Sequence, residues 1–185
     1  REALLLLFLG SMFAISSLTY YSSFYYMDVG VSTTLLFIYP VMVASIMALF
    51  FGERLTLSVV LSIVGALSGV VILYLGGDAV LSLVGVVLVI LSALSYALYM
   101  VVVNRTKPKL SAVKLTFYAA LFCSALIFLH STLFGVGNVH FLTTGSQWFW
   151  VSFLALFPGL ISLLMMAVAV RNVGSTKTSI MGALE

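Results

Sequence analysis

Six apolar runs, each about as long as a bilayer requires of a helix, divide this sequence and leave little freedom for any other fold. A crossing takes about 20 predominantly apolar residues. The runs fall at approximately 3–27, 30–51, 56–75, 80–103, 113–134 and 147–170, with a further start from about 175. The connections are short: Asp28-Val29, Gly52 to Leu55, Gly76 to Ala79, Asn104 to Ala112, Gly135 to Ser146 and Arg171 to Gly174. Closed β-barrels also satisfy the backbone in lipid, but their strands are about 9–11 residues long and alternate in polarity. These runs are continuous, so the fold class is an all-α polytopic membrane protein with six complete transmembrane helices and the start of a seventh. Composition agrees: 63% of the 185 residues are hydrophobic and 7% charged, against roughly 45–50% and about 25% in a soluble domain.

Placing the charges on this zigzag gives an orientation. Arg1 precedes the first run, Arg54 follows the second, Arg105, Lys107, Lys109 and Lys114 follow the fourth, and Arg171 and Lys177 follow the sixth. All eight basic residues therefore lie on one side, which the positive-inside rule assigns to the cytoplasm. Asp28, Asp78 and His140 lie on the other. The expected localisation is a multi-pass protein of the plasma (inner) membrane with its basic loops in the cytoplasm. The net charge of +3 is explained by this arrangement, and nucleic acid is not expected as a partner. Asn104-Arg105-Thr106 matches a glycosylation sequon, yet a cytoplasmic position predicts that it carries no glycan. The first run is longer than the 7–15 residues of a signal-peptide core, so no cleaved leader is expected. The chain opens on Arg1-Glu2 without a methionine and closes on "STKTSIMGALE", which reads as a fragment of a longer protein.

An internal repeat follows. A shift of about 145 residues brings "FLGSMFAISS" (8–17) over "FLALFPGLIS" (153–162), and a shift of 146 brings "VSTTLLFIY" (31–39) over "KTSIMGALE" (177–185). An odd number of spans separates the copies, so they are inverted, a plan that recurs in secondary transporters. The proline inside the second run, then "FFGERLT", then "SIVGALSGVVILYLGG", resembles the EamA-type domain of the drug/metabolite transporter superfamily, as does "RNVGSTKTSIMGALE". The resemblance implies ten helices in two inverted five-helix repeats with both termini cytoplasmic. On that template the chain matches about helices three to nine. Residues 1–79 are the C-terminal part of the first repeat, with three helices. Residues 80–185 are the N-terminal part of the second, with three helices and a stub. Proline would be the next residue after Glu185.

Few residues offer chemistry. The sequence contains no HExxH, no phosphate-binding loop and no CxxC, and no acidic pair lies within a span, so an enzyme is not expected, nor is a metal or any other cofactor. His130 and His140 read as interfacial or loop residues and not as proton carriers. Cys123 reads as a small packing residue. No complete run holds a deep charged side chain, the usual mark of an ion or proton path.

Polar character gathers in "SSLTYYSSFYYM" (16–27). Tyr25 and Tyr26 fit an aromatic belt at the outer interface. Tyr20 and Tyr21, about one turn deeper, either pack helices or line a cavity for an amphipathic solute. Tyr39 and Pro40 in the second run, and Pro158-Gly159 in the sixth, sit near the middle of their spans. A proline frees a carbonyl one turn back, so such breaks are either ordinary kinks or pointers to a midplane binding site. Gly65 and Gly69 form a GxxxG, which suits close helix packing within one molecule or, alternatively, a homodimer contact.

The reading is a membrane transporter of a small-molecule substrate, such as a metabolite, an amino acid or a drug-like compound, embedded in the lipid bilayer. It works by alternating access, with Tyr20, Tyr21, Tyr39, Pro40, Pro158 and Gly159 as substrate-binding candidates. The alternative is a non-transporting membrane scaffold or assembly partner.

Overall fold

The computed structural model describes residues 2–53, 82–106, 111–134 and 142–182, together with residues 57, 60, 61, 64, 65, 68, 69 and 72. The described residues are helical, apart from short connections, and contain no strand. In chain order the helices are α1 (Glu2–Ser23), α2 (Val29–Leu36), α3 (Tyr39–Phe51), α4 (Leu83–Thr106), α5 (Ala112–Phe134), α6 (Gly145–Leu154), a π-helical segment (Ala155–Ile161), α7 (Ser162–Val173) and α8 (Ser175–Gly182). Five stretches are long and apolar enough to cross a membrane: Glu2–Ser23, Val29–Phe51, Leu83–Arg105, Ala112–Leu133 and Gly145–Val173. They match five of the six expected spans. The span expected over 56–75 falls largely outside the described residues. Of its GxxxG, Gly65 and Gly69 are described, and each has open space where a Cβ would stand.

Two expectations about proline change. The second span is two helices and not one: α2 ends at Leu36, Phe37 and Ile38 turn, and α3 begins at Tyr39 with Pro40 in its first turn. There the missing N–H has no intrahelical acceptor to lose, so Pro40 starts a helix where the sequence suggested it interrupts one. The sixth span does not break at Pro158. It widens into a π-helix that holds Pro158 at its centre, and helix continues on both sides. Widening by one residue accommodates a position with no N–H to give.

The abrupt stop after Phe51 is a backbone cap. Gly52 takes φ 65°, a left-handed conformation that glycine adopts without steric cost. The Gly52 N–H then donates to the Ala48 carbonyl at 3.1 Å, and the Glu53 N–H to that of Met47 at 3.1 Å.

α1 is the centre of the packing, against α4 on one side and α5 on the other. It approaches α5 at Gly10, where an added Cβ would stand 2.5 Å from the Phe122 Cβ and 3.1 Å from the Ala119 carbonyl. Against α4 it is held by a buried polar pair. The Ser92 hydroxyl donates to the Ser16 carbonyl at 2.8 Å, and the two hydroxyls lie 3.1 Å apart. Lipid gives helices no hydrophobic reason to associate, so close backbone approach and such hydrogen bonds do that work. The core this creates runs through Leu9, Val43, Ala97, Met100, Leu115 and Ala167.

The ends of the helices sort into two sets. At one end the Arg105 guanidinium lies 4.1 Å from the Phe51 ring centroid, Glu53 meets Thr176, and Asn104 meets Ser175. At the other, Tyr20 meets Thr33, and Gly85 abuts Met27. The described basic residues Arg105, Lys114, Arg171 and Lys177 all belong to the first set, as the zigzag requires.

Candidate functional site

A cavity of about 380 Å³ opens where α1, α4, α5 and the π-helical segment meet, lined among others by Phe13, Tyr96, Cys123, Ser124, Pro158 and Gly159. Each helix contributes from its middle. Phe13 is the twelfth of the 22 residues of α1, Tyr96 the fourteenth of the 24 of α4, and Cys123 the twelfth of the 23 of α5. Pro158 is the fourteenth of the 29 residues of the span Gly145–Val173. At 1.5 Å rise per residue these positions share one level, about half-way through an apolar layer.

The π-helical segment explains why there is space. Seven residues, Ala155 to Ile161, are wound wider than an α-helix and all are exposed, so the cavity stays open on this side. Gly159 is not crowded, since an added Cβ would make only an ordinary contact, 3.4 Å from the Leu154 carbonyl. From the start of α7, Ser162 and Met166 complete that side.

The opposite wall is aromatic. Tyr96 stacks on Tyr99 with ring centroids 6.1 Å apart and planes at 13°. Phe13 leans against both, at 6.3 Å and 5.6 Å. Tyr39 meets Tyr96 edge to face at 5.1 Å. These contacts fix the rings' positions and add to area burial by about 0.5–1.5 kcal/mol per pair. The Tyr39 hydroxyl then reaches away from the cavity and donates to the Ser179 carbonyl of α8 at 3.2 Å. One side chain thus connects the cavity wall to the last described helix.

α8 itself is docked through hydroxyl groups. Ser175, Thr176, Thr178 and Ser179 are all buried. Thr176 donates to the Glu53 carboxylate at 3.1 Å, and the Asn104 amide donates to the Ser175 hydroxyl at 3.1 Å. Gly174, between α7 and α8, has φ 98° and ψ 157°, a region that is essentially glycine's alone.

The six sequence candidates divide between places. Pro158 and Gly159 line the cavity, Tyr39 contacts its wall, and Pro40 is buried beside Tyr39. Tyr20 and Tyr21 lie towards the C-terminal end of α1 and are not among the cavity's lining residues. The Tyr20 hydroxyl is 2.8 Å from that of Thr33, its ring meets Phe24 at 4.8 Å, and Tyr21 is 64% exposed. Cys123, expected to be a packing residue, is buried and also faces the cavity. Sequence reasoning passed over Phe13, Tyr96 and Ser124, although a mid-span aromatic or hydroxyl in several neighbouring spans was the available signal. His130 lies along a groove between α1 and α5 with Leu126 and Leu129, while His140 is outside the described residues. Among the described residues no three His, Cys, Asp or Glu side chains converge as metal ligands would.

The description of the EamA-like transporter family matches residues 83–185, more than half of the chain. The chain belongs to the EamA-like transporter family. Neither curated proteins nor solved structures give a match. The EamA-like stretch contains Tyr96, Cys123, Ser124, Pro158 and Gly159, so most of the cavity wall comes from it, while Phe13 in the wall and Tyr39 behind Tyr96 come from the residues before it. As an EamA-like protein with several membrane-spanning helices, this is an integral multi-pass membrane transporter of small solutes.

Proposed function

We propose that the protein carries small organic solutes, such as metabolites, amino acids or drug-like compounds, by alternating access around the mid-span cavity. The observation that carries this reading is the cavity itself, formed at the middle of four spans and bordered on one side by the exposed π-helical segment at Pro158-Gly159. Irregular backbone at membrane depth is tolerated where it lines a cavity, and substrate sites of secondary carriers lie near the midplane at the interface of repeats. Of the sequence candidates, Pro158, Gly159 and Tyr39 belong to this site. Pro40 supports Tyr39, and Tyr20 and Tyr21 belong to the outer entrance.

The inverted-repeat plan, with residues 1–79 and 80–185 in different repeats, is supported by the short helices α2 and α8. Ser175 starts α8 146 residues after Val29 starts α2, the same shift that aligns the two sequences. Both helices bury small hydroxyl residues, Ser32 in one and Thr178 and Ser179 in the other. The basic end faces the cytoplasm of the plasma (inner) membrane on the charge argument.

In this arrangement the contacts of α8 with Tyr39, Glu53 and Asn104 close the cytoplasmic path. Three neutral or singly charged hydrogen bonds contribute about 2–4 kcal/mol in all, the size of gap that a solute's binding can overcome in a two-state carrier. The test is reconstitution of the full chain in lipid vesicles and a flux screen over metabolites and drug-like compounds. Movement of at least one solute is expected. Vesicles that move none, from a protein recovered instead in a stable complex with another membrane protein, would contradict it.

A further inference from the structure

We propose that the cavity selects uncharged aromatic solutes with one or two hydrogen-bonding groups, and excludes carboxylates and ammonium ions of the same shape. This rests on the carrier reading above and narrows the substrate class of that same site to its uncharged members, leaving out zwitterionic amino acids.

Three observations point there. First, among the described residues no charged side chain lines the cavity. Along the contributing helices the nearest described charges are Lys114, nine residues before Cys123, Arg105, nine residues after Tyr96, Glu2, eleven before Phe13, and Arg171, thirteen after Pro158. Those separations are roughly 14, 14, 17 and 20 Å along a helix. An ion at this depth has no counter-charge within contact, and an unpaired ion in a low-dielectric site is strongly disfavoured. Second, the wall offers aromatic faces and edges in Phe13 and Tyr96, held in place by Tyr39 and Tyr99. A cation could gain from those rings, but cation–π attraction is much smaller than the cost of removing the ion from water. Third, polar groups are few but not absent: the Ser124 and Ser162 hydroxyls and the Cys123 thiol are in the lining. One or two hydrogen bonds can therefore orient a solute whose remaining surface is apolar. A volume of about 380 Å³ admits a bicyclic aromatic compound with a short polar arm.

The experiment uses the purified full chain and three molecules of nearly equal shape: indole-3-acetamide, indole-3-acetate and tryptamine. Binding is read from the rise in melting temperature with concentration, since a ligand that binds the folded state raises it. The amide is expected to half-saturate at a concentration at least tenfold lower than either ion. Ser124→Asp, which places a carboxylate in the wall, is expected to move that preference towards tryptamine by tenfold or more. The proposal is overturned if the acetate or the amine binds native protein as tightly as the amide, or if none of the three binds. The native comparison stands without the variant, so a misfolded Ser124→Asp protein does not shield the proposal. Failure of the carrier reading is visible separately: vesicles that move charged solutes but not the amide reject the substrate class and keep the carrier, and binding of the amide without flux of any solute does the reverse.

Discussion

Tyr39 and Tyr99 lie in one aromatic cluster, and their hydroxyls have different circumstances. That of Tyr39 bonds to the Ser179 carbonyl, whereas that of Tyr99, in a side chain only 1% exposed, has no partner among the described residues. Removing the first should cost about 0.5–1.5 kcal/mol, so Tyr39→Phe lowers the melting temperature. Removing the second relieves an unsatisfied buried group, and Tyr99→Phe is expected to melt at the same temperature or higher. Thermal melts in one detergent compare the two directly. Gly10 gives a sharper case, because a Cβ there would meet the Phe122 Cβ and the Ala119 carbonyl. Gly10→Ala should cost about 1–3 kcal/mol through forced separation of α1 from α5, where an unconstrained helix position would gain from the same change. None of these three roles was legible from residue type. Tyr99 and Tyr39 differ only in what faces them, and Gly10 reads as an ordinary glycine until α5 is placed beside it.

At the scale of elements, the two prolines that look alike in sequence do unlike things. Pro40 occupies the first turn of α3, so Pro40→Ala should change stability by only about 1 kcal/mol and leave solute flux within about twofold. Pro158 sits inside a π-helix, and Pro158→Ala restores an N–H that favours regular α-helix. The expected result is a narrower cavity and flux reduced by about tenfold without loss of folding, seen by comparing vesicle flux with the melt. Run length and apolar continuity were enough to place five of the spans within a few residues. They could not separate a proline that starts a helix from one that widens it, because that depends on Phe37 and Ile38 turning rather than continuing, a backbone choice with no composition signal. The contact of α3 with α8 has its own test. In a Cys123→Ser background, Glu53→Cys with Thr176→Cys replaces a 3.1 Å hydrogen-bonded pair by two thiols. Oxidation should stop flux and reduction restore it. Undiminished flux after complete cross-linking would show that this contact does not need to open.

For the whole molecule, the sequence's zigzag and the packing of the helices agree on which ends lie together, since Arg105, Lys114, Arg171 and Lys177 share one end. The level of the cavity was only half legible. Pro158 and Gly159 marked it from one span, but Phe13, Tyr96 and Ser124 acquire their meaning only when the middles of three other helices are brought to the same depth. Tyr20 and Tyr21 attracted notice because polar residues cluster near them, yet clustering along one helix is a weaker sign of a site than agreement in depth across four. The proposed carrier depends on that shared depth. It is tested most directly by solute flux into vesicles containing either the native chain or Ser124→Trp, which fills the cavity from α5 while leaving both ends of the bundle untouched. Flux of an organic solute through the native protein, and loss of about tenfold or more in a Ser124→Trp protein that still melts cooperatively, is the expected result. Equal flux through both would place the path elsewhere and contradict a mid-span site.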